Sequence, residues 1–184
     1  MSTPRLSPSS YLVLGMVSLL GKPTTYEINR QVGYTVGQFW SFPASQLYAE
    51  TARLAAAGLL DEQREQGGRH RRHYTITDHG RQALGDWLGD PTSPPPELRH
   101  AGLLKLFFSE LATTEEVVEL ARAQEAWHRE QLAVYQAVVD RFGSRPNLAR
   151  RVATARFGVA YARVSADFWR EIAENPPPEV AGAG

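Results

Sequence analysis

The feature that most constrains this chain is a diglycine, Gly67-Gly68, set between a Leu-Leu-Asp-Glu-Gln-Arg-Glu run and an alternating R-H-Y-T-I run. Short segments of this kind joined by glycines read as a hairpin, one strand over residues 59–65 and the other over 70–76. Helical stretches stand on both sides of it. A lone hairpin between three helices and a fourth admits few folds.

The helices are legible from spacing. Tyr11, Leu12, Leu14, Val17 and the residues to Leu20 run round most of a helix that begins after Ser9 or Ser10, which predicts burial on most sides; Gly21 and Pro23 end it. Thr24 or Thr25 caps a second helix with Tyr26, Ile28 and Val32 on its core side, Glu27 at the positive end of its dipole and Gly33 at its stop. Pro43, flanked by Ser41 or Phe42, suits the first turn of a third helix, in which Leu47, Thr51, Leu54 and Ala55 repeat at three- and four-residue steps until Gly58. After the hairpin, Thr77 caps a fourth helix whose stripe is Ala83, Leu84, Trp87 and Leu88. The order helix, helix, helix, strand, strand, helix is that of a winged helix-turn-helix, placed at residues 1–90.

A proline-rich linker follows at 91–96, and beyond it the pattern is purely helical over 97–175. One helix is expected over 97–111, a second from the capping-box sequence at Thr113 or Thr114 to Phe142, and a third from the break at 143–146 to Glu174; residues 176–184 are expected to be a disordered tail. The fold class is therefore mainly α with an α+β wing, a winged helix-turn-helix followed by a helical dimerisation domain.

With 184 residues, zero formal net charge and no cysteine, the chain excludes disulfides, thiolate metal sites and a cysteine nucleophile, and a cytoplasmic location is expected. The apolar run 11–21 reads as a core helix rather than a signal peptide, and none of the apolar runs approaches the roughly 20 residues of a membrane span. A zero average still allows a local basic patch. The hairpin holds one: Arg64, Arg69, Arg71 and Arg72 with His70 and His73 surround the diglycine, with Glu65 as the nearby opposing charge. Arginines on a glycine tip suit phosphate or a narrow minor groove. The third helix starts with Ser45, Gln46 and Tyr48 on the side that Leu47, Thr51 and Leu54 leave free, as a recognition helix in a major groove requires, and Gln46 has the amide that pairs with adenine. The candidate DNA-contacting set is Thr24, Thr25, Ser45, Gln46, Tyr48, Arg69, His70, Arg71 and Arg72. The plainer readings are a solvated hairpin tip and an inward-packed Tyr48.

In order, Leu19-Leu20, Tyr26-Glu27-Ile28, Phe39-Trp40, Ser45-Gln46-Leu47-Tyr48, Leu54, Gly58-Leu59, Gly67-Gly68-Arg69, Arg71-Arg72, Tyr74, Thr77 and Gly80 resemble the PadR family of transcriptional regulators. The departures are Thr24-Thr25 for a usual His-Gly, Ala49 for a proline, and 51–55 without the usual acid. Arg99-His100 and residues 103–108 look like the long-tailed, Vir-like branch. The resemblance implies a repressor that binds DNA as a helical dimer and lets go when an effector binds.

Independently of any family, the last helix has Leu148, Val152, Ala155, Val159, Ala162, Ala166, Trp169 and Ala173 at four- and three-residue steps, and a second stripe, Phe157, Tyr161, Val164, Phe168 and Ile172, on nearly the opposite face. The preceding helix covers one stripe; a second copy is expected to cover the other, with Leu103, Phe107, Val152, Val159, Ala166 and Trp169 as the dimerisation set. The plainer reading closes all of them into a monomeric three-helix core. A twofold dimer predicts an inverted-repeat operator with half-sites about 34 Å apart. The aromatics Trp127, Tyr135, Tyr161 and Phe168 are the candidate pocket for a small-molecule effector, with core packing as the alternative.

Catalytic motifs are absent from the sequence, so no enzyme is expected. No cofactor and no metal are expected either: the odd spacing of His70 and His73 puts them on opposite faces of a strand, leaving His79, His100 and His128 as histidines that a fold could bring together. The rival to DNA binding is a winged helix serving only as a protein-interaction module.

Overall fold

The computed structural model describes residues 5–40, 42–65 and 71–178. It divides into two compact units at Pro95/Pro96.

The first unit holds α1 (Pro8–Leu20), α2 (Thr25–Tyr34), a 3-10 turn (Val36–Gln38), α3 (Ala44–Ala56), the antiparallel strands β1 (Leu60–Arg64) and β2 (Arg72–Ile76), and α4 (Asp78–Gly89). Its core is contiguous: Val13, Leu14, Met16 and Val17 of α1 meet Ile28 and Val32, Leu47 and Leu54, Leu59 and Leu60, Tyr74 and Ile76. Each of α1, α2, α3, β1 and β2 contributes to this core, while the 3-10 turn and α4 pack half-buried Val36, Ala83 and Leu84 against it. The mainly α winged helix is therefore as expected.

Several boundaries and faces differ. The first helix starts earlier, at Pro8, because Ser7 and Ser10 bond reciprocally and make a capping box ahead of it. It is also less enclosed, since Leu19 and Leu20 are exposed. Gly33 does not stop α2, which runs to Tyr34; with no side chain it loses propensity but keeps its hydrogen bond. Pro43 caps α3 from outside, its carbonyl accepting from the Gln46 and Leu47 amides. Tyr26 is exposed instead of facing the core, as are Trp87 and Leu88 of α4; Trp87 stacks on Tyr11 with ring centroids 4.6 Å apart. Ser41 and the diglycine tip lie outside the described residues.

The turn into α4 explains the Thr-x-x-Gly spacing. Thr77 Oγ1 accepts from the Gly80 amide at 3.0 Å and donates to the Gly58 carbonyl at 2.9 Å. Gly58 sits at φ 72°, where other residues are strained. A Cβ on Gly80 would run into the Leu59 carbonyl oxygen and lie 2.9 Å from Ile76. Glycine is needed there so that the helix can approach the hairpin.

The second unit contains α5 (Ala101–Phe107), a 3-10 turn (Ser109–Leu111), α6 (Thr114–Phe142), a 3-10 turn (Pro146–Leu148) and α7 (Ala149–Glu174). The single helix expected over 97–111 is thus shorter and broken at Phe108. Thr113 caps α6, its Oγ1 accepting from the Glu116 amide while Glu116 accepts from the Thr113 amide. Long α6 and α7 pack closely: a Cβ on Gly158 would lie 2.7 Å from the Tyr135 ring. Residues 179–184 of the expected tail lie outside the described set.

Candidate nucleic-acid interface

Helix α3 is fixed from below and presents a polar start. Leu47, Thr51 and Leu54 are buried, and Thr51 returns its hydroxyl to the Leu47 carbonyl at 2.7 Å. Arg53 grips Glu50 through two hydrogen bonds, at 2.8 and 2.6 Å, and donates a third, at 3.1 Å, to the buried Ser10 of α1. The hydrogen bonding from Arg53 to Glu50, with the guanidinium charge, holds Glu50 below the usual carboxylate range. The free face at the start of α3 carries Ser45, Gln46 and Tyr48, all exposed. The sequence therefore placed these three where a groove could reach them, and Tyr48 does not pack inward.

The wing is tied to the start of α2. The Tyr74 amide donates to the Pro23 carbonyl at 2.9 Å, a bridge pairs Thr24 with His73, and His73 Nδ1 lies 3.2 Å from the Lys22 carbonyl oxygen. Thr24 is the N-cap of α2, and the hydrogen bond from its backbone amide, then from its hydroxyl, holds Glu27 below the usual range. Thr25 is buried, which contradicts its place among the DNA-contacting residues.

Arg64 and Arg72 are exposed on the two strands and Arg71 is exposed just before β2, whereas Arg69 and His70 lie outside the described residues. Glu65 is not the carboxylate that matters. Glu62 Oε1 accepts from Arg64 Nε at 3.1 Å, and its Oε2 accepts from the Tyr74 hydroxyl at 3.3 Å and lies 3.5 Å from Arg72 Nη1. Burial, and next the Glu62 charge, push the Tyr74 phenol upward. Sequence reading passed over Glu62, although its register opposite Tyr74 on the pairing strand was the signal that could have found it.

In the second unit, α6 takes one stripe of α7 for itself. Val152, Ala155, Ala162, Ala166 and Trp169 are buried and Val159 is half-buried within the single chain. The dimerisation role given to Val152, Ala166 and Trp169 is therefore corrected: the seam closes intramolecularly, as a coiled-coil pair does when two long helices share one chain. The opposite stripe is open, with Phe157 70% and Val164 69% exposed beside exposed Tyr161 and Phe168. On α5, Phe107 is exposed and Leu103 half-buried. Of the aromatic set, Trp127 is exposed and set edge-on to His128, Tyr135 is half-buried against Gly158, and Phe168 is edge-on to Trp169. A separate apolar groove of about 270 Å³, unseen in the sequence, lies in the first unit between Tyr11, Met16, Leu19, Phe39, Trp40 and Trp87.

A three-helix core bearing an arginine-lined two-stranded ribbon, with a polar helix start exposed beside it, defines the winged helix-turn-helix class. The chain matches the family model described as Transcriptional regulator PadR-like family over residues 13–86 and that described as Virulence activator alpha C-term over residues 98–175. Residues 13–86 are thus similar to the PadR-like family and residues 98–175 to the Virulence activator alpha C-term family. The Negative transcriptional regulator PadR of Bacillus subtilis is 31% identical over 116 residues, 62% of this chain; the match spans 63% of that relative's length. Among solved structures, Bacillus subtilis PadR in complex with operator DNA has a TM-score of 0.79 at 24% identity, over 90% of this chain and 96% of that one. The virulence activator AphA of Vibrio cholerae has a TM-score of 0.63 at 22% identity, over 89% and 96%. At these identities the structural likeness is one of fold. Among the described residues no helix is long and apolar enough to cross a membrane.

Proposed function

We propose that the chain is a homodimeric, sequence-specific DNA-binding regulator of transcription, a repressor acting in the cytoplasm and released by a small-molecule effector. The observation that carries DNA binding is the joint exposure of Ser45, Gln46 and Tyr48 at the start of α3 and of Arg71 and Arg72 on the wing. Short polar side chains at a helix start fit base edges and phosphates, and arginines on a ribbon fit phosphate. Arg69 and His70 extend that patch by sequence alone. Thr24 supports the interface by capping α2. The first unit is the DNA-binding domain on this reading and the second the dimerisation domain.

The dimer reading rests on the open stripe of α7. A helix apolar on two faces needs two partners, and its own chain supplies one. Phe157, Tyr161, Val164 and Phe168 are the surface for a second copy, and Phe107 of α5 is a further exposed apolar residue of the same unit. Two linked half-sites then raise affinity without any new contact to DNA. For the effector, the aromatic group Trp127, Tyr135, Tyr161 and Phe168 supports an apolar, planar ligand. One of the matched structures is described as Bacillus subtilis PadR in complex with p-coumaric acid.

Selection of bound duplexes from random sequence tests the reading directly. An inverted repeat whose half-sites are about one helical turn apart is expected. Binding should weaken steeply with salt, and Arg72→Ala should reduce the slope by about one. No salt-dependent binding to any duplex would leave only the protein-interaction module.

A further inference from the structure

Two of the five histidines, 28 positions apart, meet inside the second unit. His100 caps α5: its Nδ1 accepts from the Leu103 amide at 3.2 Å. A neutral imidazole has one N–H and one bare nitrogen, so with Nδ1 accepting, the proton of His100 sits on Nε2. That Nε2 lies 3.3 Å from His128 Nε2 and donates to it. The remaining proton of His128 must then sit on Nδ1, which among the described residues has no hydrogen-bond partner and belongs to a residue only 1% exposed.

The surroundings are tight and apolar. His100 lies 5.9 Å from Trp169, and His128 lies 4.7 Å from Trp127 and 6.0 Å from Tyr161, all between ring centroids. Helix α5 is pressed onto α6 beside the pair: a Cβ on Gly102 would lie 2.7 Å from Gln124 Oε1 and 2.9 Å from His100 Cε1. The titratable groups facing His128 are His100 from α5 and Tyr161 from α7. On α6 itself Glu125 and Arg129 pair with each other at 2.6 Å. Among the described residues neither imidazole has a hydrogen bond or ion pair to a carboxylate that would welcome a second proton.

We propose that the His100–His128 contact is an acid-sensitive latch, which holds α5 on the α6–α7 pair at neutral pH and releases it on protonation. Either route of proton uptake opposes the folded geometry. A proton on His128 Nε2 sets two N–H groups against each other at 3.3 Å. A proton on His100 Nδ1 removes the acceptor of the Leu103 amide, and with it the cap of α5. Burial, then the His100 charge, hold His128 below the ordinary imidazole value, so the folded chain binds fewer protons than the unfolded one. The stabilisation is complete above the unfolded imidazole pKa of about 6.5 and is lost as pH falls through the lower folded value. Release would also displace Leu104, Phe107 and Phe108, which are exposed on or next to α5. Any consequence for self-association rests on the dimer reading, but the latch does not.

Amide hydrogen exchange on the full chain between pH 7.5 and 5.5, corrected for intrinsic rates, tests this. Opening of 101–107 is expected to stay level down to about pH 6.5 and below that to rise by up to about tenfold per pH unit for each proton taken up, while the middles of α6 and α7 stay protected. His128→Gln and His100→Asn, the latter retaining a capping side chain, should each flatten that response. Protection of α5 that is independent of pH, or a response unchanged in both variants, would overturn the latch. Should the His128 variant not fold, ring nitrogen resonances of the wild type decide: a bare Nδ1 on His100 and a bare Nε2 on His128 are expected, and the opposite tautomers would sink it.

Discussion

The two units spend their apolar residues differently. In the first, one cluster from Val13 to Ile76 draws on α1, α2, α3 and both strands, and what it leaves exposed at the start of α3 and along the wing is polar or cationic. In the second, α6 and α7 share one narrow stripe, and the opposite side of α7 still shows Phe157 and Val164 to solvent. Exposed apolar patches of this kind mark association surfaces rather than stable free ones. The first unit offers a polar and cationic face at α3 and the wing, beside an apolar groove of its own at Leu19, Trp40 and Trp87; the second offers an apolar stripe along α7. That contrast supports the proposal of recognition by the first unit and assembly through the second.

The largest test of the contrast is Trp169→Ala. Removing a fully buried indole is expected to cost the second unit about 3–5 kcal/mol in denaturant unfolding, with amide protection in the first unit retained. Equal losses in both units would mean that they do not fold as separate cores. Next, Phe157→Glu combined with Val164→Glu should leave helical circular dichroism intact while sedimentation shows half the mass of the wild type. An unchanged mass would move the interface elsewhere.

Thr77→Ala should cost the first unit about 1 kcal/mol, because the cap of α4 and its bond to the Gly58 carbonyl are lost together. The smallest effect on stability, within about 0.5 kcal/mol, is expected of Glu62→Gln, since exposed ion pairs contribute little. Its effect should appear instead on random-sequence duplexes: removing the carboxylate beside Arg64 and Arg72 should raise affinity and steepen the salt dependence. Unchanged binding would mean that the wing arginines act independently of Glu62.

Much of the first unit was readable because its determinants are local. Thr77 three residues before Gly80, Gly58 after Leu54 and the alternation through Tyr74 each follow from hydrogen bonds or steric limits spanning a few residues. The exposed start of α3 follows from helical spacing once Leu47, Thr51 and Leu54 are taken as core. The errors fell where a distant neighbour decides. Thr25 looked available until the folded core buried it, Glu65 looked like the opposing charge until the register set Glu62 opposite Tyr74, and the Val152–Trp169 seam looked like an interface until α6 folded back on it.

The sequence alone determined the kinds and order of the elements, the two-faced pattern of the last helix and the residues that carry charge at the wing, because periodicity and turn chemistry act within a few positions. Only the tertiary structure decided which face of α7 is spent inside the chain, which carboxylate holds the wing arginines and that His100 meets His128. Those outcomes depend on contacts between residues far apart in the chain, and spacing along a sequence contains no distance across a fold.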